Sequence, residues 1–544
     1  MNSIHAFAFA ALAFSASAAD LPRAEIRPGW DWSLPEGVEP APYSGFVTWN
    51  GQRYDPMITV SAVQISWRQL CPAPDTYDFA PVVEAIEANT ALGMRSGLHL
   101  KGVQDDYVPA WVVEKYNAPV LPVLPLQDNQ PWRISIVPPW HPDVLREYGK
   151  FIDAFAATGI AQREEVVYGY IHGISSSRGE EMFLRPQDVE YYERDAGLTP
   201  EKLVQCVEAR IDGMLKVFKG VEYKLAWTNP GKGIVWKPDN YAQATEHLWK
   251  YAMDRGAGWR GGGVDFMNVL YDAPALGATV SPDGYALIDH TWPALVERRF
   301  RGDENEEYGK GWEWRFGPYE GANGHEYRHR ICTLRALQLF ENFNYVSVET
   351  LKLNPELNRY AFLTQGKLWD DSPDAWAYLR EVATGGNARI VKNIERLLIQ
   401  RDVEGSQSVA AEKVERFPIS PDPPDRHYDF DARRTDLANG QDGLAFQLDE
   451  KFWTRPAAAE LKVTYIDNAE AAWHVEYTGA SGQPAKTGSV KNTGDNERKT
   501  ATFQIPALSA ARAYPGGMDF RLAAEGPGDL TVQMVRIIKS GNDL

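Results

Sequence analysis

Between about residue 44 and residue 381, short β-branched or apolar runs alternate with amphipathic stretches of helical period. The runs at 45–49, 62–67, 95–100, 166–171, 223–227, 263–269, 296–302 and 345–348 read as strands. Stretches at 80–92, 142–158, 200–218, 241–255, 285–295 and 326–343 read as helices between them. Strand–helix alternation of this kind predicts βα units around a parallel sheet. Eight such units over this length predict a (β/α)8 TIM barrel, and an open doubly wound sheet is the alternative. No G-x-G-x-x-G follows a first strand, which weighs against a dinucleotide fold.

The period then changes. The segment Pro-Ile-Ser-Pro-Asp-Pro-Pro-Asp at 418–425 cannot continue a helix or a central strand, so a linker is placed at 418–430. Beyond it, apolar residues alternate with polar ones at Leu444-Phe446-Leu448, Leu461-Val463-Tyr465, Trp473-Val475-Tyr477, Phe503-Ile505 and Val532-Met534. A period of two, broken by Gly, Asn and Asp clusters, predicts an antiparallel β-sandwich over 431–544. The expected order is a segment 1–19, a barrel over 20–417, the linker and the sandwich.

Composition narrows the function. The 544-residue chain carries a formal charge of −18 and lacks a basic block. That excludes a phosphate-neutralising nucleic-acid surface and disfavours anionic lipid. Residues 1–19 hold no Lys, Arg, Asp or Glu and run from an apolar stretch into Ala16-Ser17-Ala18, the pattern of a secretory signal peptide. The protein is therefore expected to be secreted or periplasmic. No apolar run of 18 residues follows, so no membrane span is expected. Cys71, Cys206 and Cys332 are widely spaced and form no zinc pattern; neither a metal nor an organic cofactor is called for. The 18 Trp and 25 Tyr suit stacking against sugar rings as well as core packing.

In a parallel barrel the chemistry sits past the C-terminal ends of the strands. Two acidic clusters fall there: Glu180-Glu181 after the fourth strand and Asp303–Glu307 after the seventh. Two carboxyl groups across one cleft are what glycoside hydrolysis needs, one protonated to serve the leaving oxygen and one ionised. By strand alternation Glu304 and Glu306 share one face, and Asp303, Asn305 and Glu307 the other. Taken alone, each acidic run is equally readable as a solvated loop.

Three segments resemble the β-galactosidase-like TIM-barrel glycoside hydrolases. They are Trp-Arg-Gln-Leu-Cys-Pro-Ala-Pro-Asp-Thr-Tyr-Asp-Phe at 67–79, Arg-Ser-Gly-Leu-His-Leu-Lys at 95–101 and Val-Pro-Ala-Trp-Val at 108–112. The last segment of the chain is similar to accessory sandwich domains of bacterial polysaccharide-degrading enzymes. The resemblance implies a retaining double displacement on a β-linked, galactose-containing oligo- or polysaccharide. In it Glu180 matches the acid/base, and Glu304, or next Glu306, the nucleophile. Gly179 stands where that family usually has an Asn contacting the sugar 2-hydroxyl; Asn229 after the fifth strand is the candidate substitute.

Trp67, Arg68, His99, Trp111 and Trp227 lie at or near strand ends and are candidate substrate contacts. Arg298, Arg299 and Arg301 flank the second acidic cluster. One reading has them neutralise it; the other has all three, with Arg178, recognise sulfate or uronate on an acidic glycan. Two rival functions remain: a glycan-binding protein without catalysis, favoured by Gly179, and a polysaccharide lyase.

Overall fold

The computed structural model describes residues 21–122, 135–171, 186–228, 239–261, 277–306, 308–309, 311, 313, 321, 324–384, 389–414, 429–468 and 470–540. It divides into two compact units. One comprises Glu39–Val280 and Leu287–Gly366; the other is built from 21–38, Ser281–Ala286 and 367–540.

The first unit is a closed eight-stranded parallel barrel. Its strands are β1 (Gly45–Thr48), β2 (Ile58–Ser66), β3 (Arg95–Lys101), β4 (Val166–Ile171), β5 (Leu225–Thr228), β6 (Gly258–Arg260), β7 (Arg301–Glu304) and β8 (Phe343–Tyr345). Each pairs with the next in sequence, and β8 closes onto β1. Seven of the eight expected runs overlap these strands, although 296–302 does so only at its end. The sixth is earlier than expected, and 262–276 lies outside the described residues. The seventh is later than expected. Residues Pro293–Val296 are a short helix, and Arg298 sits at φ 52°, so the chain turns before β7 begins. The expected helix at 285–295 is replaced in part by the strand Ala286–Ile288.

Outward-facing residues of the strands pack on the helix layer. Trp227 and Trp259 join Ile211, Val207, Leu248 and Phe155 in that core. Inward-facing residues fill the barrel in layers. Phe300 and Phe343 stack at 5.0 Å between ring centroids, with Tyr168 4.9 Å from Phe300. Gly97 makes room for them: a Cβ there would lie 1.9 Å from the Tyr168 ring.

The second unit consists of two antiparallel sheets, so the fold is a TIM barrel followed by a sandwich. Among the described residues its larger sheet holds eight strands and its smaller one six. The boundary falls earlier than the proline-rich segment. Strands Asp374–Thr384, Arg389–Arg396, Leu398–Arg401 and Val409–Val414 already belong to the sheets, which corrects the expected barrel limit of 417. The linker proposed at 418–430 lies largely outside the described residues, and Asp429 opens the strand Asp429–Arg434. The strand Glu25–Pro28 adds to the edge of the larger sheet against Arg498–Leu508. Residues 1–19 lie outside the described residues.

Candidate active site

The C-terminal mouth of the barrel is assembled from alternate residues of its strands. Phe300, Gly302 and Glu304 point inward along β7 and its approach, so Asp303 points outward. The buried Asp303 accepts the Glu304 amide at 2.8 Å. Gly261 must lack a side chain here, since a Cβ would lie 2.3 Å from the Asp303 carboxylate. The Glu304 carboxylate meets the Arg260 guanidinium in an ion pair. The Arg260 side chain is sealed from solvent, whereas that of Glu304 retains 18% exposure. A guanidinium in contact favours the ionised carboxylate and fixes its direction.

Around the pair stands an aromatic wall. The Arg260 guanidinium carbon lies 5.4 Å from the Tyr170 ring, 5.7 Å from Tyr345 and 5.8 Å from Trp49. Trp49 stacks on Tyr345 at 4.0 Å, and its indole N–H donates to Glu306 at 2.7 Å. Beneath, the Tyr345 hydroxyl lies 2.5 Å from that of Tyr168 and bonds to that of Tyr170. The His99 Nε2 is 3.2 Å from Tyr168 and 3.3 Å from Tyr345. Burial pushes the Tyr345 phenol well above its ordinary value, so it stays protonated as a hydrogen-bonding group.

The structure thus brings Glu304 and Glu306 to one mouth, on the shared face expected from alternation. Asn305 turns away, donating to Thr333 of the helix His325–Gln338 at 3.0 Å. His99 faces the interior but is sealed beneath the aromatic wall. Glu180, Arg178 and Asn229 lie outside the described residues.

The remaining candidates have structural partners. Ser66 caps the short helix Trp67–Leu70 through a reciprocal bond with Gln69, and this turns Trp67 into the core edge-on to Tyr148 at 5.4 Å. Arg68 donates to the carbonyls of Val108, at 2.8 Å, and Asp105, tying down the loop after β3. The Trp111 indole donates to the Cys71 carbonyl at 3.1 Å. Trp227 faces the helix layer. Arg301 begins β7, at the N-terminal end of the barrel, and donates to the carbonyls of Phe340, Ala294 and Arg299 at 2.8–2.9 Å. Its guanidinium is held by main chain, on the far end from the mouth, so its expected glycan role is replaced by a structural one. Arg299 likewise donates to the carbonyls of Met253 and Ala257.

Arg260, Trp49, Tyr170 and Tyr345 are not among the residues that the sequence pattern marks out. The signal for Arg260 is the alternation within Gly258-Trp259-Arg260, where an apolar outward residue is flanked by two inward ones.

No protein-family profile and no curated protein matches the chain. Solved structures similar to it in part include the catalytic domain of β-amylase from Paenibacillus polymyxa, at 9% identity and TM-score 0.31, covering 58% of this chain and 88% of that one. Xylanase 10B from Thermotoga petrophila RKU-1 in complex with xylobiose matches at 10% identity and TM-score 0.31, over 56% of this chain and 80% of that one. A thermostable mutant of the xylanase Xyn10A from Cellvibrio japonicus matches at 10% identity and TM-score 0.33, over 56% of this chain and 86% of that one.

Proposed function

We propose that the chain is an exported glycoside hydrolase that cleaves a β-linked oligo- or polysaccharide with retention of configuration. The observation that carries this reading is Glu304: an inward carboxylate at the C-terminal end of β7, paired with Arg260 and walled by aromatic rings. In the first step Glu304 attacks the anomeric carbon while Glu180 gives its proton to the departing glycosidic oxygen. In the second, Glu180 takes a proton from the water that displaces Glu304. Glu306, held by Trp49, is the alternative nucleophile. This route uses two carboxyl groups and needs neither metal nor organic cofactor.

The resemblance of 67–79 and 95–112 puts galactose-containing glycans at the head of the substrate classes. An acidic glycan now rests on Arg178, since Arg298 precedes β7 and Arg299 and Arg301 are held by main-chain carbonyls. Export rests on residues 1–19; cleavage after Ala19 would leave the strand Glu25–Pro28 available to its sheet.

Sugar release from neutral, sulfated and uronate-bearing β-glycans tests the proposal. Wild type is run beside Glu180→Gln and Glu304→Gln. Release by wild type, with losses of about 10²–10⁴-fold for Glu180→Gln and at least as large for Glu304→Gln, is the expected result. Binding without release would favour the glycan-binding reading, to which Gly179 points.

A further inference from the structure

We propose that Asn305 is a positioning residue whose clamped amide fixes the main chain between Glu304 and Glu306 and so aims both carboxylates. The proposal rests on the reading of one of these two glutamates as the nucleophile. It begins in the run Asp303–Glu307, where Asn305 is the uncharged member among four acids. The strand β7 ends at Glu304, so the chain that carries Glu306 lies beyond the regular strand.

Side chains of neighbouring elements take over there. The Asn305 amide is buried and engaged at both ends. Its Nδ2 donates to the Thr333 hydroxyl oxygen at 3.0 Å, and its Oδ1 accepts from the Tyr308 hydroxyl at 2.6 Å. The main chain of the same residue is held twice. Its N–H donates to the Tyr345 carbonyl at 2.9 Å, and its carbonyl accepts from the Thr350 hydroxyl at 3.1 Å. Ser347 and Thr350 form the capping box of the helix Val348–Leu353, and the Ser347 hydroxyl donates to the Glu306 carbonyl at 3.3 Å.

Hydrogen-bond direction explains why this position is an amide. His329 stands behind Thr333, with its Nε2 3.2 Å from the Thr333 hydroxyl oxygen. The Asn354 amide nitrogen, which donates to the Glu326 carbonyl, also faces His329 Nδ1 at 2.9 Å. Nδ1 therefore accepts, and Nε2 carries the hydrogen toward Thr333. The Thr333 oxygen thus receives one donor from His329 and one from Asn305. An ionised aspartate at 305 has no hydrogen to give and would bring a charge into a buried place. Asn305 in this way ties the helix His325–Gln338, β8 and the helix Val348–Leu353 to the residue that separates the two glutamates. A reacting group displaced by about 1 Å loses about 10²-fold in rate although the substrate still binds.

The test compares kcat and KM of Thr333→Val and Thr333→Ser on the β-glycan that wild type cleaves, with melting curves alongside. Valine keeps the shape and removes the acceptor, so kcat falls about tenfold or more while KM stays within about threefold. Serine restores the hydroxyl and brings kcat back to within about threefold of wild type. A folded Thr333→Val with wild-type kcat overturns the proposal, as does a loss confined to KM or an equal loss in both variants. Should Thr333→Val fail to fold, Tyr308→Phe removes the donor at the other end of the amide. A similar fall in kcat then supports the proposal, and an unchanged kcat overturns it. Failure of the underlying reading looks different: wild type cleaves no glycan, or Glu304→Gln and Glu306→Gln both stay active, and the proposal falls with it.

Discussion

Two arginines sealed from solvent stand at neighbouring register positions of β6 and β7 and are used in opposite ways. Arg260 points into the barrel at its C-terminal mouth and meets a carboxylate that remains partly exposed. Arg301 points outward at the N-terminal end and is held by three main-chain carbonyls. Burial, only partly offset by Tyr43 and Glu341, pushes the Arg301 guanidinium down to about 9. The contrast teaches that a buried arginine is not by itself a functional signal. Its partner decides: carbonyls make a clamp that closes the end of a strand, and a partly exposed carboxylate makes an ion pair open to the mouth.

The two ends can be separated by substitution. Glu304→Gln gives the largest effect, with kcat lowered on the order of 10³-fold or more. Arg260→Met follows, with kcat lowered about tenfold or more, since the Glu304 carboxylate loses the guanidinium that directs it. Arg301→Met leaves kcat in place and costs about 3 kcal/mol of stability, because it strands buried carbonyls; denaturant unfolding of the two arginine variants side by side measures the difference. Deeper in the barrel, Gly97→Ala costs about 2 kcal/mol, since its Cβ collides with the Tyr168 ring, and a lowered melting temperature reports it.

The smallest effect is acid sensitivity from His329, on the helix His325–Gln338. Burial, reinforced by Arg330, lowers its imidazole from 6.5 to about 3. The unfolded chain therefore binds a proton that the folded chain refuses between those values, and stability falls as pH drops through 6.5. His329→Gln removes about 1.5 kcal/mol of the loss between pH 6.5 and 5, read from melting curves at the two pH values.

How much of this was legible in the sequence depends on the kind of signal. Buried parallel strands such as Val166–Ile171 are apolar throughout, and their runs are plain. The strands near Leu444, Leu461, Trp473, Phe503 and Val532 show a clean period of two. Those before the prolines do not, because their polar residues are buried as ion pairs. Arg380 meets Asp429, and Arg401 meets Glu395 at 2.8 Å, so charges that read as surface lie inside. For that reason the sandwich boundary was expected too late.

At the site, Glu304 was legible because an acidic run followed an apolar strand and alternation chose its face. Arg260 was hidden by the shortness of Gly258–Arg260 and by the more apolar run downstream. The aromatic candidates divided by direction. Trp67 and Trp227 face the core, while Trp49, which ends the first expected strand and was not a candidate, joins the mouth. One-dimensional spacing does not encode which side of a strand end a ring will take when a cap such as Ser66 redirects the chain.

The central claim is that Glu304 forms the glycosyl bond. It is tested most directly by trapping that bond with a 2-deoxy-2-fluoro glycoside carrying a good leaving group, followed by proteolysis and mass spectrometry. The account predicts a single glycosyl adduct on the peptide that contains Glu304, fragmenting to that residue, and its absence in Glu304→Gln. An adduct on Glu306 or on another carboxylate would contradict it, as would turnover to the inverted anomer with no adduct at all.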